Sequence, residues 1–146
     1  MSATNAFETS LLSLIFTNAD AANVGDATGL RGSTTAGVVY ISLHTADPTE
    51  TGNQTSSETS YTNYARVAVA RSGAGWTVSG NNASNAAAVN FPACGASGAT
   101  VTHFGIGTDA SGAGNLLFKG ELDLSLAVSN GITPSFATGE LDVNAD

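Results

Sequence analysis

Basic residues are nearly absent from this chain. Arg31, Arg66, Arg71 and Lys119 stand alone against twelve acidic side chains, giving a formal net charge of -8. Binding to a phosphate backbone needs clustered Lys and Arg that release counterions, so no nucleic-acid partner is expected. Cysteine is scarcer still. With Cys94 alone, an intrachain disulfide and a multi-cysteine metal site are both excluded, and the residue reads as a small buried hydrophobe. No apolar run approaches the roughly 18 residues of a membrane helix, so no membrane partner is expected. The longest such stretch, Leu11 to Phe16, is broken by Ser13 and lacks the basic flank of an export signal.

Charged residues make up 11% of the chain, while Gly numbers 17 and Ala, Thr, Ser and Asn abound. That balance belongs to assembled β-proteins with neutral polar surfaces rather than to typical cytosolic enzymes. The length of 146 residues suits a single globular domain. Within it, residues 1–36 read as a helix plus an irregular arm and residues 37–146 as a β-sandwich. Phe7, Leu11, Leu14 and Ile15 recur at helical spacing over residues 5–17, with Leu12 and Phe16 widening the stripe. Asn5 and Glu8 resemble a capping pair. Residues 18–36 read as an irregular connection, in which Arg31 between two glycines suits contact across an interface.

Beyond Gly37 the pattern is strand after strand. Strands are expected at 38–43, 64–71, 76–78, 86–91, 100–107, 116–128, 133–136 and 139–143, with polar turns at 73–75, 80–84 and 109–114. Leu122, Leu124, Leu126 and Val128 form the strongest period-two signal, which predicts one core-facing side, with a bend or bulge near Gly120. The fold class that follows is all-β: an antiparallel β-sandwich of jelly-roll or Greek-key type with about eight strands and one short N-terminal α-helix.

The segment from Tyr40 to Arg71 sets two strands around a polar connection, His44 to Asn63. Its roughly 20 residues exceed ordinary connection lengths, which points to a functional surface. Shortening Thr49 to Ser60 to a Gly-Ser linker is expected to leave the domain folded. The phrases LHTADPTETGNQT and YTNYARVAVAR, followed by FPACG, THFGIGT and SNGITPSFATGEL, resemble a family of small structural proteins of tailed bacteriophages, labelled tail fibre, head decoration or cement protein. The similarity runs from about Gly37 to about Val143. It implies a virion component and transfers no catalytic residue.

No nucleophile elbow, P-loop or zinc spacing occurs, so no catalytic, cofactor-binding or metal-binding residues are assigned and no enzyme activity is expected. Gly105, Gly107, Gly112 and Gly114 read as turn glycines, and His103 as a core or interface histidine. His44, Asp47 and Glu50 lie close in sequence, yet a divalent ion needs more ligands than these three. They join Asn53 and Gln54, and Phe7, Leu11, Leu14, Ile15 and Arg31, as candidate interface residues. The expected partners are a major capsid protein or other virion subunits and further copies of the chain, as a trimer. The expected function is capsid decoration or cement on the outer surface of the head. The alternative is a tail fibre, spike or adaptor module that binds a host receptor or glycan.

Overall fold

The computed structural model describes residues 3–25, 29–30 and 32–145. Among them are one helix, α1 (Asn5–Phe16), and nine strands: β1 (Val38–His44), β2 (Val67–Ala70), β3 (Trp76–Ser79), β4 (Asn82–Asn85), β5 (Val89–Asn90), β6 (Ala99–Gly107), β7 (Leu116–Val128), β8 (Ser135–Phe136) and β9 (Asp142–Asn144). They form a four-stranded sheet in the order β2-β1-β6-β7, a three-stranded sheet β3-β4-β9 and a two-stranded sheet β5-β8. The registered pairs of the two larger sheets are antiparallel. The fold is therefore mostly β, with antiparallel sheets and one short N-terminal helix. The residues group into two compact units that interleave along the chain, one of 1–38, 70–89 and 136–146, the other of 39–69 and 90–135.

In the first unit, α1 packs on β3 and β4. Its inward face is Glu8, Leu12 and Phe16, spaced four residues apart, and the Phe16 ring meets Trp76 at 4.4 Å between centroids. This turns the helix away from the sequence expectation: Phe7 and Leu11 are exposed, whereas Leu12 and Phe16 are fully buried. Asn5 is the first helical residue, and Thr4 caps through backbone geometry without a side-chain bond.

Arg71 closes the other end of the helix. Its Nε and Nη2 donate to the carbonyls of Ile15 and Leu14 at 2.6 and 2.7 Å, and its Nη1 to that of Ala36 at 2.9 Å. Terminal carbonyls have no intrahelical donor and carry the negative end of the helix dipole, so a guanidinium satisfies both needs. Replacing Arg71 by Met should cost about 2–3 kcal/mol, the scale of losing charge-assisted bonds. Urea unfolding followed by the fluorescence of Trp76 checks this, and an unchanged midpoint would remove the capping role.

The polar stretch 80–84, expected as a turn, instead contributes most of β4. Its alternation is hidden because the inward residues are small or polar: Ala83 is fully buried, and Asn85 is buried with both polar side-chain atoms hydrogen-bonded. Asn85 donates to the carbonyls of Ala87 and Ala137, both at 2.8 Å, and accepts from the Leu141 amide at 2.9 Å.

In the second unit, β1 is an interior strand and is buried almost continuously from Val39 to His44. It runs against β6 from Tyr40 opposite Gly107 to His44 opposite His103. β7 is an edge strand, and here the sequence expectation fails. The leucine row does not face the core, since Leu124 is 84% and Leu126 38% exposed, and only Val128 at its end is buried. The irregularity expected near Gly120 is present: Gly120 itself pairs with Phe104, and the register breaks on either side of it, where Val101 faces Leu126 but His103 faces Glu121, and again between Ile106–Phe118 and Gly107–Leu116. The strands at 64–71 and 86–91 are also shorter than their apolar patterns suggest, ending as β2 and β5.

Candidate functional site

The 44–66 connection is a folded element. Glu58 bridges His44 across an antiparallel pairing, with the Thr45 amide donating to Ser57 O at 2.8 Å and the Thr59 amide to Leu43 O at 2.9 Å. At its far side Gln54 is fully buried. The Gln54 backbone amide donates to Ala113 O, its side-chain Nε2 donates to Asp109 O at 3.2 Å and its Oε1 accepts from the Asp109 amide at 2.9 Å, so backbone and side chain of one residue together tie both ends of the 109–114 turn. Room for it comes from glycine: a Cβ on Gly107 would lie 2.2 Å from Gln54 Cδ. Gly105 and Gly107 thus belong to β6 and mark close approaches, while Gly112 and Gly114 do lie in a turn with positive φ.

Arg66 ties the same parts together. Its Nε and Nη2 grip the two Glu58 oxygens at 2.7 and 2.8 Å, and its Nη1 and Nη2 also donate to Asp109 O and Gly112 O at 2.8 and 2.7 Å. The pair is nearly enclosed, with side-chain exposures of 3% for Arg66 and 15% for Glu58. The Glu58 hydrogen bonds, outweighing burial, raise the Arg66 pKa further. Tyr64 donates its hydroxyl to Glu58 at 2.8 Å and accepts from the Leu43 amide at 3.1 Å, and burial pushes its pKa well up. Shortening Thr49 to Ser60 would therefore remove buried Gln54, buried Thr59 and the Glu58 carboxylate. The expectation of a folded remainder is corrected accordingly.

His44 is enclosed too. Its Nδ1 faces Ser56 O at 2.8 Å, an atom that only accepts, which places the proton on Nδ1 and leaves Nε2 to accept from the Ser42 hydroxyl at 2.8 Å. Burial lowers its pKa, outweighing the opposing Ser56 bond and Glu58 charge. The unfolded chain thus binds a proton more readily than the folded one below the ordinary histidine value near 6.5. The resulting stability is present above that pH and is lost as pH falls from it toward the folded value, by at most about 1.4 kcal/mol per pH unit. Unfolding measured between pH 7.5 and 5 should show this slope in the wild type and a shallower one in His44→Gln. Equal slopes would refute the assignment.

Of the other candidates, Asp47 and Glu50 are exposed and Asn53 half-buried. The Asp47 and Glu50 carboxylates converge on Lys119, whose Nζ lies 3.1 Å from Asp47 Oδ1 and 3.0 Å from Glu50 Oε1. The Thr49 amide and then Lys119 hold the Asp47 pKa down, while Glu50 and Asp47 raise that of Lys119. His44 is bonded instead to Ser42 and Ser56, and among the described residues no three His, Cys, Asp or Glu gather to hold a metal. Beside the group lies a recess of about 240 Å³ lined by Thr49, Glu50, Gly52 and Leu116 to Lys119, below the usual range of small-molecule sites. Phe7 and Leu11 are exposed on α1, and Leu14 and Ile15 are half-buried. Arg31 lies outside the described residues. The sequence reading missed Arg66, Lys119 and Leu124. Their only signal was that they carry two of four basic side chains and the centre of the leucine row.

Residues 2–144 match the family described as Podophage GP4 fiber I protein gp80. The chain belongs to this family and is a bacteriophage structural protein. No curated protein matches it in sequence.

Proposed function

We propose that the chain is a non-enzymatic subunit of podophage tail fibres that joins neighbouring virion proteins. The observation that carries this reading is the family match along nearly the whole chain, under a description that names a fibre. A joining role is supported by where the aromatic side chains lie. A glycan-binding tip presents aromatic platforms, yet Trp76 and Tyr61 are buried and Tyr40 and Tyr64 half-buried. The outward residues suit protein contact: Asp47 and Glu50 on the loop, and Phe7 and Leu11 on α1. The α1 face also supports self-association, with a trimer as the proposed state.

Capsid decoration is the second reading, favoured by the lack of heptads or shaft repeats in the sequence. Imaging particles labelled with an antibody to this protein separates the two. Label on the tail is expected, and label spread over the head would replace the fibre reading with decoration. Label on neither would overturn both.

A further inference from the structure

We propose that the outer part of β7 docks against a different virion protein, one presenting an apolar cleft rimmed by lysine or arginine. This rests on the virion function argued above and names the partner's chemistry. Single exposed leucines are ordinary on protein surfaces, but Leu124 and Leu126 stand out together on an edge strand, with Leu122 half-buried beside them. Between Val101–Leu126 and His103–Glu121 the register consumes two steps on β6 and five on β7. Residues 122–125 are therefore pushed out as a bulge. Bulges and edge charges discourage addition of another strand, so the contact runs through projecting side chains rather than backbone pairing.

Charge selects the occupant. Glu121 and Asp123, both exposed, interleave the leucines, and among the described residues no cation pairs with either. Among the described residues, a second copy offers no good complement. Its Arg66 is held by Glu58, Asp109 and Gly112, its Arg71 by helix carbonyls, and its Lys119 by Asp47 and Glu50. It would also bring a further net charge of -8. Rim charges steer association and penalise like-charged partners, so a basic, non-identical surface is the match.

The test places a photo-crosslinking residue at Leu124, which is exposed enough to be replaced without touching the core, and irradiates assembled particles. The expected product is an adduct with another virion protein, mapped to apolar residues flanked by Lys or Arg. In reconstitution onto particles lacking the protein, the E121Q/D123N variant should rebind roughly three- to tenfold more weakly at low salt and lose most of the salt dependence, as for two exposed ion pairs. A self-adduct, an adduct to an acidic segment, no adduct in particles that contain the protein, or unchanged rebinding by the variant would each overturn the inference alone. Absence of the protein from purified particles would overturn the virion function, and this inference with it.

Discussion

Replacing Arg66 by alanine should destabilise the second unit by about 3–5 kcal/mol, the largest loss expected of any single substitution in its loop. The magnitude follows from what is left behind. Glu58 would keep its carboxylate in a mostly enclosed site with only the Tyr64 hydroxyl against it, and Asp109 O and Gly112 O would each lose a donor. Breaking a buried pair by removing one partner costs on this scale because the survivor remains desolvated. Arg66→Lys should recover only part of the loss, since an ammonium cannot reproduce the two-pronged grip on Glu58 while also reaching both carbonyls. All three tyrosines, Tyr40, Tyr61 and Tyr64, lie in the second unit and the one tryptophan in the first, so the near-ultraviolet tyrosine signal in urea reports on the unit concerned. A loss below about 1 kcal/mol would place the pair among ordinary surface salt bridges and refute its role.

Arg66 also shows where sequence reading stops. α1, β1, β6 and β7 were legible because their apolar residues repeat at 3.6 or two, a property of the element alone. The loop has no such period, and its order comes from pairs far apart in the chain, such as Gln54 with Asp109 and Arg66 with Gly112. β4 was hidden for a related reason: its inward residues are Ala83 and Asn85, and an asparagine counts as interior only once its partners at Ala137 and Leu141 are known. The leucines of β7 teach the converse. Alternation established that one side is apolar, but burial depends on what covers that side, and β7 lies at the edge of its sheet.

The same limit divides the candidate site. Composition and length marked 44–63 as a surface element, and Asp47 and Glu50 are exposed, whereas Asn53 is half-buried with its Oδ1 accepting from the Thr55 amide and hydroxyl. His44 and Gln54, equally polar in sequence, are fully buried and act within the protein. Polarity alone does not tell a residue that bonds a partner from one that bonds its own backbone, because both need the same atoms.

Gly107→Ala and Gln54→Ala should therefore each be costly and strongly coupled. A Cβ added at Gly107 would sit 2.2 Å from Gln54 Cδ and 2.5 Å from its Nε2, so Gln54 must leave its site or the strand must shift. Overpacking of this kind costs about 1–3 kcal/mol. Gln54→Ala removes the clash group itself, but it orphans the Asp109 amide and opens a cavity, at about 2–4 kcal/mol. Once the glutamine side chain is gone, the methyl group introduced by Gly107→Ala enters vacated space. The double variant should thus be no less stable than Gln54→Ala alone, a coupling of about 1–3 kcal/mol that a double-mutant cycle in urea can resolve. The cycle also bears on assembly, because Gln54 anchors the loop that carries Asp47, Glu50 and Asn53. Gly107→Ala should reduce incorporation into particles, and the double variant should lose no more than Gln54→Ala does. Additive stabilities would mean that Gly107 is glycine for some reason other than the glutamine beside it, and the loop would lose its proposed anchor.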